Sequence, residues 1–164
     1  SDLRRQRQMC IRDRNDRVKK ALEQEGSTTR DGMDIVMMAY NKKQGTLDFS
    51  GGNNSIFICR NGELMKYKGD RFSIGADGIE NKAFVEQNIQ VKPGDVIYTF
   101  TDGYKDQFGG PKGKKFMQKR LLEILVSNSD KALNEQQTVL EKELANWMEG
   151  YDQVDDISVM GFRI

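Results

Sequence analysis

The chain has 164 residues, enough for one ordinary domain, and its 26 basic and 25 acidic side chains leave a net charge of +1, too balanced for a polyanion-binding footprint along its whole length. It contains no histidine, which excludes Ser-His-Asp and Cys-His nucleophile pairs and imidazole-ligated zinc, and leaves carboxylates, lysines, arginines or a bound metal to carry any catalysis. Two cysteines, Cys10 and Cys59, are too few for a disulfide framework or a four-thiolate metal site, and no apolar run longer than Ile35 to Tyr40 offers a membrane span.

The charge is uneven. Residues 1–20 hold eight Lys/Arg against three Asp/Glu, so the basic surplus lies at the N-terminus and the remainder is acidic. Residues 1–14 (SDLRRQRQMCIRDR) show no sustained apolar period and carry no aromatic anchor, and we read them as a solvated extension foreign to the fold. A nucleic-acid or membrane-surface arm is the rival reading of that charge; neither nucleic acid nor membrane is expected as a partner of this segment. The basic start lacks the apolar region of a signal peptide, so a reducing, cytoplasmic location is expected.

From Asn15 the pattern is structured. Val18, Ala21 and Leu22 have helical spacing, with Gly26 as a stop, so residues 15–26 read as the last turns of a helix. Met33 to Asn41 and Thr46 to Ser50 flank a KKQG turn and predict a hairpin. Ser55 to Arg60 and Glu63 to Lys68 flank Asn61-Gly62, the strongest short-range hairpin signal in the chain. Phe84 to Val91 alternates less cleanly, and Pro93-Gly94-Asp95 turns it into Val96 to Thr101 (VIYTFT), an apolar run typical of a central strand. Phe116 to Val126 and a helix capped at Asn134, bearing Leu140, Leu144, Trp147 and Met148, follow; Ile157 to Ile164 returns as a strand. Strands, then helices, then a strand predict an α+β domain of mainly antiparallel sheets.

Asp102 follows the apolar run and is followed by Gly103, and Asp155 and Asp156 precede the last strand. Each is also an ordinary turn or solvated loop. Together, in a chain without histidine, two carboxylate clusters at strand ends suit a hard cation held by oxygen ligands, magnesium or manganese. The SGGNN segment at 50–54 lacks the lysine and following helix of a P-loop and reads as a bulged turn. GGPKGKK at 109–115 is either a solvated loop or a basic arm for an anionic substrate. Met37, Met38, Met65 and Met117 read as core filler, and Cys59 as a buried thiol.

The succession DGMDI (31–35), FSGGNNSIFICRNGEL (49–64), KGDRFSIG (68–75), GDVIYTFTDGYKDQFGG (94–110), GKKF (113–116) and QVDDISVMG (153–161) resembles the SpoIIE-like bacterial branch of the metal-dependent PPM-type serine/threonine protein phosphatases. The resemblance runs from about Asn15 to Ile164 and implies a β-sandwich of antiparallel sheets flanked by helices, with two Mn²⁺ or Mg²⁺ ions at one end. By it, Asp102 and Asp155 match metal-binding aspartates, Asp156 occupies a more variable neighbouring position, and Gly103 matches the glycine beside the metal aspartate. It implies hydrolysis of phosphoserine or phosphothreonine by water activated by the paired metals, with no catalytic side chain beyond that water. The substrate would be a phosphoprotein, an anti-sigma-factor-antagonist-like protein in a bacterial partner-switching system, with a sensor domain upstream.

A Gly-Asp pair and a DxxGHG-like motif, whose aspartate bridges both metals in the family, are not found in this sequence. Asp31 and Asp34 lie at a later strand and are not assigned that role. The chain is therefore expected to correspond to the C-terminal two thirds of the domain, to hold at most one weak metal, and to have very low activity. The rival to an enzyme is a catalytically inactive phosphatase-like module that recognises a regulatory partner.

Overall fold

The computed structural model describes residues 32–74 and 84–164. The predicted extension at 1–14 and helix at 15–26 lie outside the described residues. The chain divides into two compact units, the first from the described residues within 1–56 and 67–91, the second from 57–66 and 92–164.

In the first unit, β1 (Ile35–Asn41) and β2 (Thr46–Gly52) form the predicted hairpin, with Ile35 opposite Gly52 and Asn41 opposite Thr46. β5 (Gln87–Gln90) joins the other edge of β2, so the order is β1-β2-β5, antiparallel throughout. Leu47, Phe49, Ile56, Ile74, Phe84 and Ile89 are buried here. β2 runs further than the sequence suggests, through Gly51 and Gly52. The polar backbone of SGGNN is spent on its neighbours: Asn53 N–H donates to Asp70 O, Asp70 N–H to Gly51 O and Gly69 N–H to Asn54 O. That pairing leaves no free row of donors for a phosphate, in agreement with the turn reading.

The second unit is built on a sheet of order β4-β3-β6-β9, made of β3 (Ser55–Arg60), β4 (Glu63–Lys68), β6 (Val96–Phe100) and β9 (Val159–Arg163); the outer ends of β3 and β4 belong to the first unit. Asn61 and Gly62 turn β3 into β4 with φ of 50° and 80°, the paired positive values that an Asn-Gly hairpin turn requires. β6 lies between β3 and β9, antiparallel to both, which explains its unbroken apolar character: Ile97 is buried on one face, and Val96, Tyr98 and Phe100 on the other.

Helices cover that second face. After a short helix α1 (Asp102–Asp106), a two-residue ribbon of β7 (Phe108–Gly109) and β8 (Lys114–Lys115) precedes α2 (Gln118–Ser127) and α3 (Leu133–Trp147). Leu121 and Leu125 of α2 join Phe57, Cys59, Tyr98 and Phe100 in one cluster, with Leu140, Leu144 and Trp147 of α3 packed against it. Each fully buried leucine contributes roughly 1.5–3 kcal/mol.

Three local expectations change. α3 starts one residue before Asn134: Ala132 is its N-cap, and Glu135 Oε2 accepts the Ala132 N–H at 3.1 Å, satisfying a backbone donor that Asn134 leaves alone. α2 starts at Gln118, because Met117 has φ of 76° and its N–H is held by Lys105 O at 2.7 Å. That backbone turns the Met117 side chain outward, 60% exposed, so it is not core filler; Cys59 is buried as expected. Among the described residues no helix is long and apolar enough to cross a membrane.

The far end of the β6–β9 pair is fixed by Asp95, which is 1% exposed. Its carboxylate accepts Arg60 Nε at 2.7 Å, Arg60 Nη2 at 2.6 Å and the Lys92 N–H at 2.8 Å, while its carbonyl accepts the Ile164 N–H. Burial pushes the carboxyl up, but the Arg60 and Lys92 interactions win and hold it below the ordinary 3.8. A lowered folded value means that the stabilisation is complete above the ordinary aspartate range and is lost as pH falls through the folded value. Asp95→Ala strands Arg60 and should cost about 3 kcal/mol at neutral pH in urea unfolding. Asp95→Asn should in addition flatten the fall of stability below pH 3.8; an unchanged acid limb would remove Asp95 as its source.

Candidate functional site

The opposite end of the β6–β9 pair carries the acidic residues. β6 stops at Phe100, and Thr101 is the N-cap of α1, so Asp102 is the first helical residue and stands exposed where the helix leaves the sheet. It opens a helix and does not continue the strand. A carboxylate in a first helical turn is electrostatically favourable there. Asp155 and Asp156, also exposed, lie in the irregular segment between α3 and β9.

Two residues that sequence reasoning passed over bring these segments together. Thr101 Oγ1 donates to Asp156 O at 2.9 Å and accepts the Ser158 N–H at 2.9 Å, while Thr101 N–H donates to Ser158 O at 3.0 Å. Gln107, fully buried, donates through Nε2 to Asp152 O at 2.9 Å and to Phe108 O at 3.0 Å, and its Oε1 accepts the Val154 N–H at 3.3 Å. Thr101 thus holds the chain just after Asp155 and Gln107 holds it just before. Their signal was present in TDGYKDQ as a hydroxyl at a strand end and an amide among charges, but a lone Thr or Gln has no period to betray burial.

Between the two anchors the backbones touch. A Cβ on Gly103 would lie 2.4 Å from Asp156 O and 2.9 Å from its carbonyl carbon, a contact no larger residue can make. Asp102 therefore neighbours a residue in direct main-chain contact with Asp156. The two acidic clusters predicted from sequence thus lie on segments that touch.

Beneath it, α1 is anchored by Tyr104, which is buried and donates its hydroxyl to Leu140 O at 2.8 Å. Its ring meets Phe116 edge-on at 5.0 Å, and Phe116 meets Trp147 likewise at 5.5 Å, with the Arg120 guanidinium 4.6 Å from both the Phe116 and Trp147 rings. Burial pushes the Tyr104 phenol up, out of reach of any ordinary pH. Asp106, the last residue of α1, is paired with Lys105 at 3.4 Å and Lys115 at 3.3 Å. Slight burial raises its carboxyl, but the two lysines outweigh this and keep it below the usual range. Asp34, in the first unit, accepts hydrogen bonds from Asn53 Nδ2 at 3.0 Å and from Ser73 Oγ, a structural pairing.

Among the described residues no three His, Cys, Asp or Glu side chains form a group that could hold a metal. Asp102, Asp155 and Asp156 are exposed carboxylates on two segments in main-chain contact, and a single hydrated hard cation needs only one or two carboxylates plus waters. They do not by themselves make a two-metal centre.

A family model described as Stage II sporulation protein E (SpoIIE) matches residues 5–164. The chain belongs to the SpoIIE family. It is similar to Protein IcfG of Synechocystis sp. (strain ATCC 27184 / PCC 6803 / Kazusa), 28% identical over 124 residues, which is 71% of this chain and 19% of that protein. Among solved structures it is similar to the SiaA-PP2C domain of Pseudomonas aeruginosa, with 27% identity and a TM-score of 0.78, covering 89% of this chain and 57% of that one. The S. agalactiae serine/threonine phosphatase shares the fold at 16% identity and a TM-score of 0.67, covering 98% of this chain and 70% of that one. The phosphatase domain of SpoIIE from Bacillus subtilis shares it at 21% identity and 0.54, covering 80% and 58%. The chain's architecture is thus the α+β fold of PPM-type phosphatases, and it spans 57% of the SiaA domain and about a fifth of IcfG.

Gln107→Leu removes three hydrogen bonds and leaves two carbonyls and an N–H to find water, and should cost roughly 2–4 kcal/mol in urea unfolding. Gly103→Ala should displace the Asp155–Asp156 segment, seen as loss of amide hydrogen-exchange protection at Ser158; protection equal to that of the parent chain would show that the main-chain contact is dispensable.

Proposed function

We infer that this chain is the metal-binding part of a protein serine/threonine phosphatase domain that acts in bacterial signalling, on a phosphoprotein of the partner-switching kind. The single observation that carries the reading is the juxtaposition of Asp102-Gly103 with Asp155-Asp156, in a member of the SpoIIE family, by the Thr101 and Gln107 anchors. Phosphatases of the PPM class depend on metal. Asp102 and Asp155 are the ligands of a manganese or magnesium ion, and Asp156 flanks them.

Such an ion supplies Lewis-acid activation of water and offsets charge on the phosphoryl oxygens. The protein's part is positional. Thr101 and Gln107 hold the backbone of the acidic segment against that of α1, so only side-chain rotation is left when a ligand arrives. Gly103 lets the Asp156 main chain pack directly against the start of α1, beside Asp102. The chain has no histidine to serve as a general base, and proton transfer is assigned to water and solvent.

A second reading, a phosphatase-like module that binds a regulatory partner without hydrolysis, is favoured by the lack of a three-ligand group among the described residues. Calorimetric titration with Mn²⁺ tests the first. Binding should be weak and should fall about tenfold or more in Asp102→Asn and in Asp155→Asn, since even outer partners of metal ligands are worth 10–100-fold. Unchanged affinity in both variants would sink the site assignment. Release of phosphate from a phosphoserine peptide should be very slow in this chain; manganese binding with no release at any metal concentration would favour the second reading.

A further inference from the structure

The β7–β8 ribbon is not used by the reading above. Residues 108–115 (FGGPKGKK) include three lysines. Lys115 is engaged by Asp106 at 3.3 Å, whereas Lys112 and Lys114 are exposed and form no ion pair with any described residue.

A solvated loop needs no fixed course, and this one has a fixed course. Gly109 faces the main chain of Trp147 so closely that a Cβ would lie 1.9 Å from its carbonyl oxygen, and the Gly110 N–H donates to that same oxygen at 2.8 Å. At the tip a Cβ on Gly113 would meet the Tyr151 hydroxyl at 2.8 Å. At the root, Phe116 N–H and Trp147 Nε1 both donate to Gln107 O, at 2.9 and 3.1 Å. The ribbon is thus pressed against Trp147 and Tyr151, at the head of the segment that leads to Asp155, and the ammonium groups of Lys112 and Lys114 are displayed from a backbone ordered in advance. Pre-ordering lowers the entropic cost of binding, and positive charges left without an ion-pair partner are relieved by an anionic one. Phe108 and Tyr151, 40% and 42% exposed, offer apolar surface on the same segments.

We propose that Lys112 and Lys114 form a specificity element that engages acidic side chains flanking the phosphorylated residue of the protein substrate. The word substrate rests on the hydrolytic reading; the contact itself needs no metal.

Two fluorescein-labelled phosphoserine peptides of equal length, one with glutamates on both sides of the phosphoserine and one with glutamines, provide the test, with binding read by fluorescence anisotropy. The glutamate peptide should bind the unaltered chain about fivefold more tightly, a size in keeping with two exposed ion pairs. The preference should vanish in the double variant Lys112→Gln/Lys114→Gln and persist in Lys119→Gln/Lys142→Gln, which removes the same charge from exposed positions of α2 and α3. Equal affinity for both peptides, survival of the preference in the first variant, or its equal loss in the second would overturn the proposal. Manganese titration run alongside separates the two ideas: failure to bind metal would remove the hydrolytic reading and leave the peptide result to stand on its own.

Discussion

Everything at the acidic end of the second unit depends on how the segment 152–158 is tied to the segment 101–107. An irregular segment with five exposed acidic or polar residues has little apolar surface to hold it, and conformational entropy would scatter it. The ties are polar: the Thr101 hydroxyl grips Asp156 and Ser158, and the Gln107 amide grips Asp152 and Val154. A fully buried amide is costly unless satisfied, and Gln107 uses both ends of its side chain. The cost of burying that group is what makes the arrangement specific, since any slip of the segment leaves it unsatisfied.

The same logic operates at the other end of the β6–β9 pair. There Asp95 joins the turn at Lys92, the β3 residue Arg60 and the terminal Ile164 through one carboxylate and one carbonyl. With Thr101 and Ser158 at one end and Asp95 and Ile164 at the other, the register between Val96 opposite Arg163 and Phe100 opposite Val159 is pinned twice. A one-residue slip would exchange the two faces of β9 and break both pins. β9 also anchors the connection between α2 and α3, because Arg163 Nη2 donates to Ser129 O and Lys131 O.

What could be read from residues alone was what has a period or a local chemistry. The alternation of β2, the apolar run of β6 and the Asn61-Gly62 turn gave elements close to those observed, and the order of motifs gave the family. The Asp102 and Asp155 segments were legible as acidic strand ends, but not their contact, which depends on long-range bonds between residues some fifty positions apart. Helix starts were misplaced for a related reason. Glu135 caps from inside its helix, and Met117 adopts a positive φ that no residue type announces. GGPKGKK was ambiguous because only the structure shows the glycines flush against Trp147 and Tyr151.

Trp147 is the one tryptophan of the chain, and it lies where several of these devices meet. Its indole N–H is bound by the carbonyl of Gln107, its ring packs on Phe116 beside Arg120, and its own carbonyl holds the ribbon through Gly110. The molecule therefore carries a single indole fluorophore whose environment changes when the ribbon lifts or when Gln107 lets go. Its emission can follow that corner of the fold with no label attached, and without interference from a second indole.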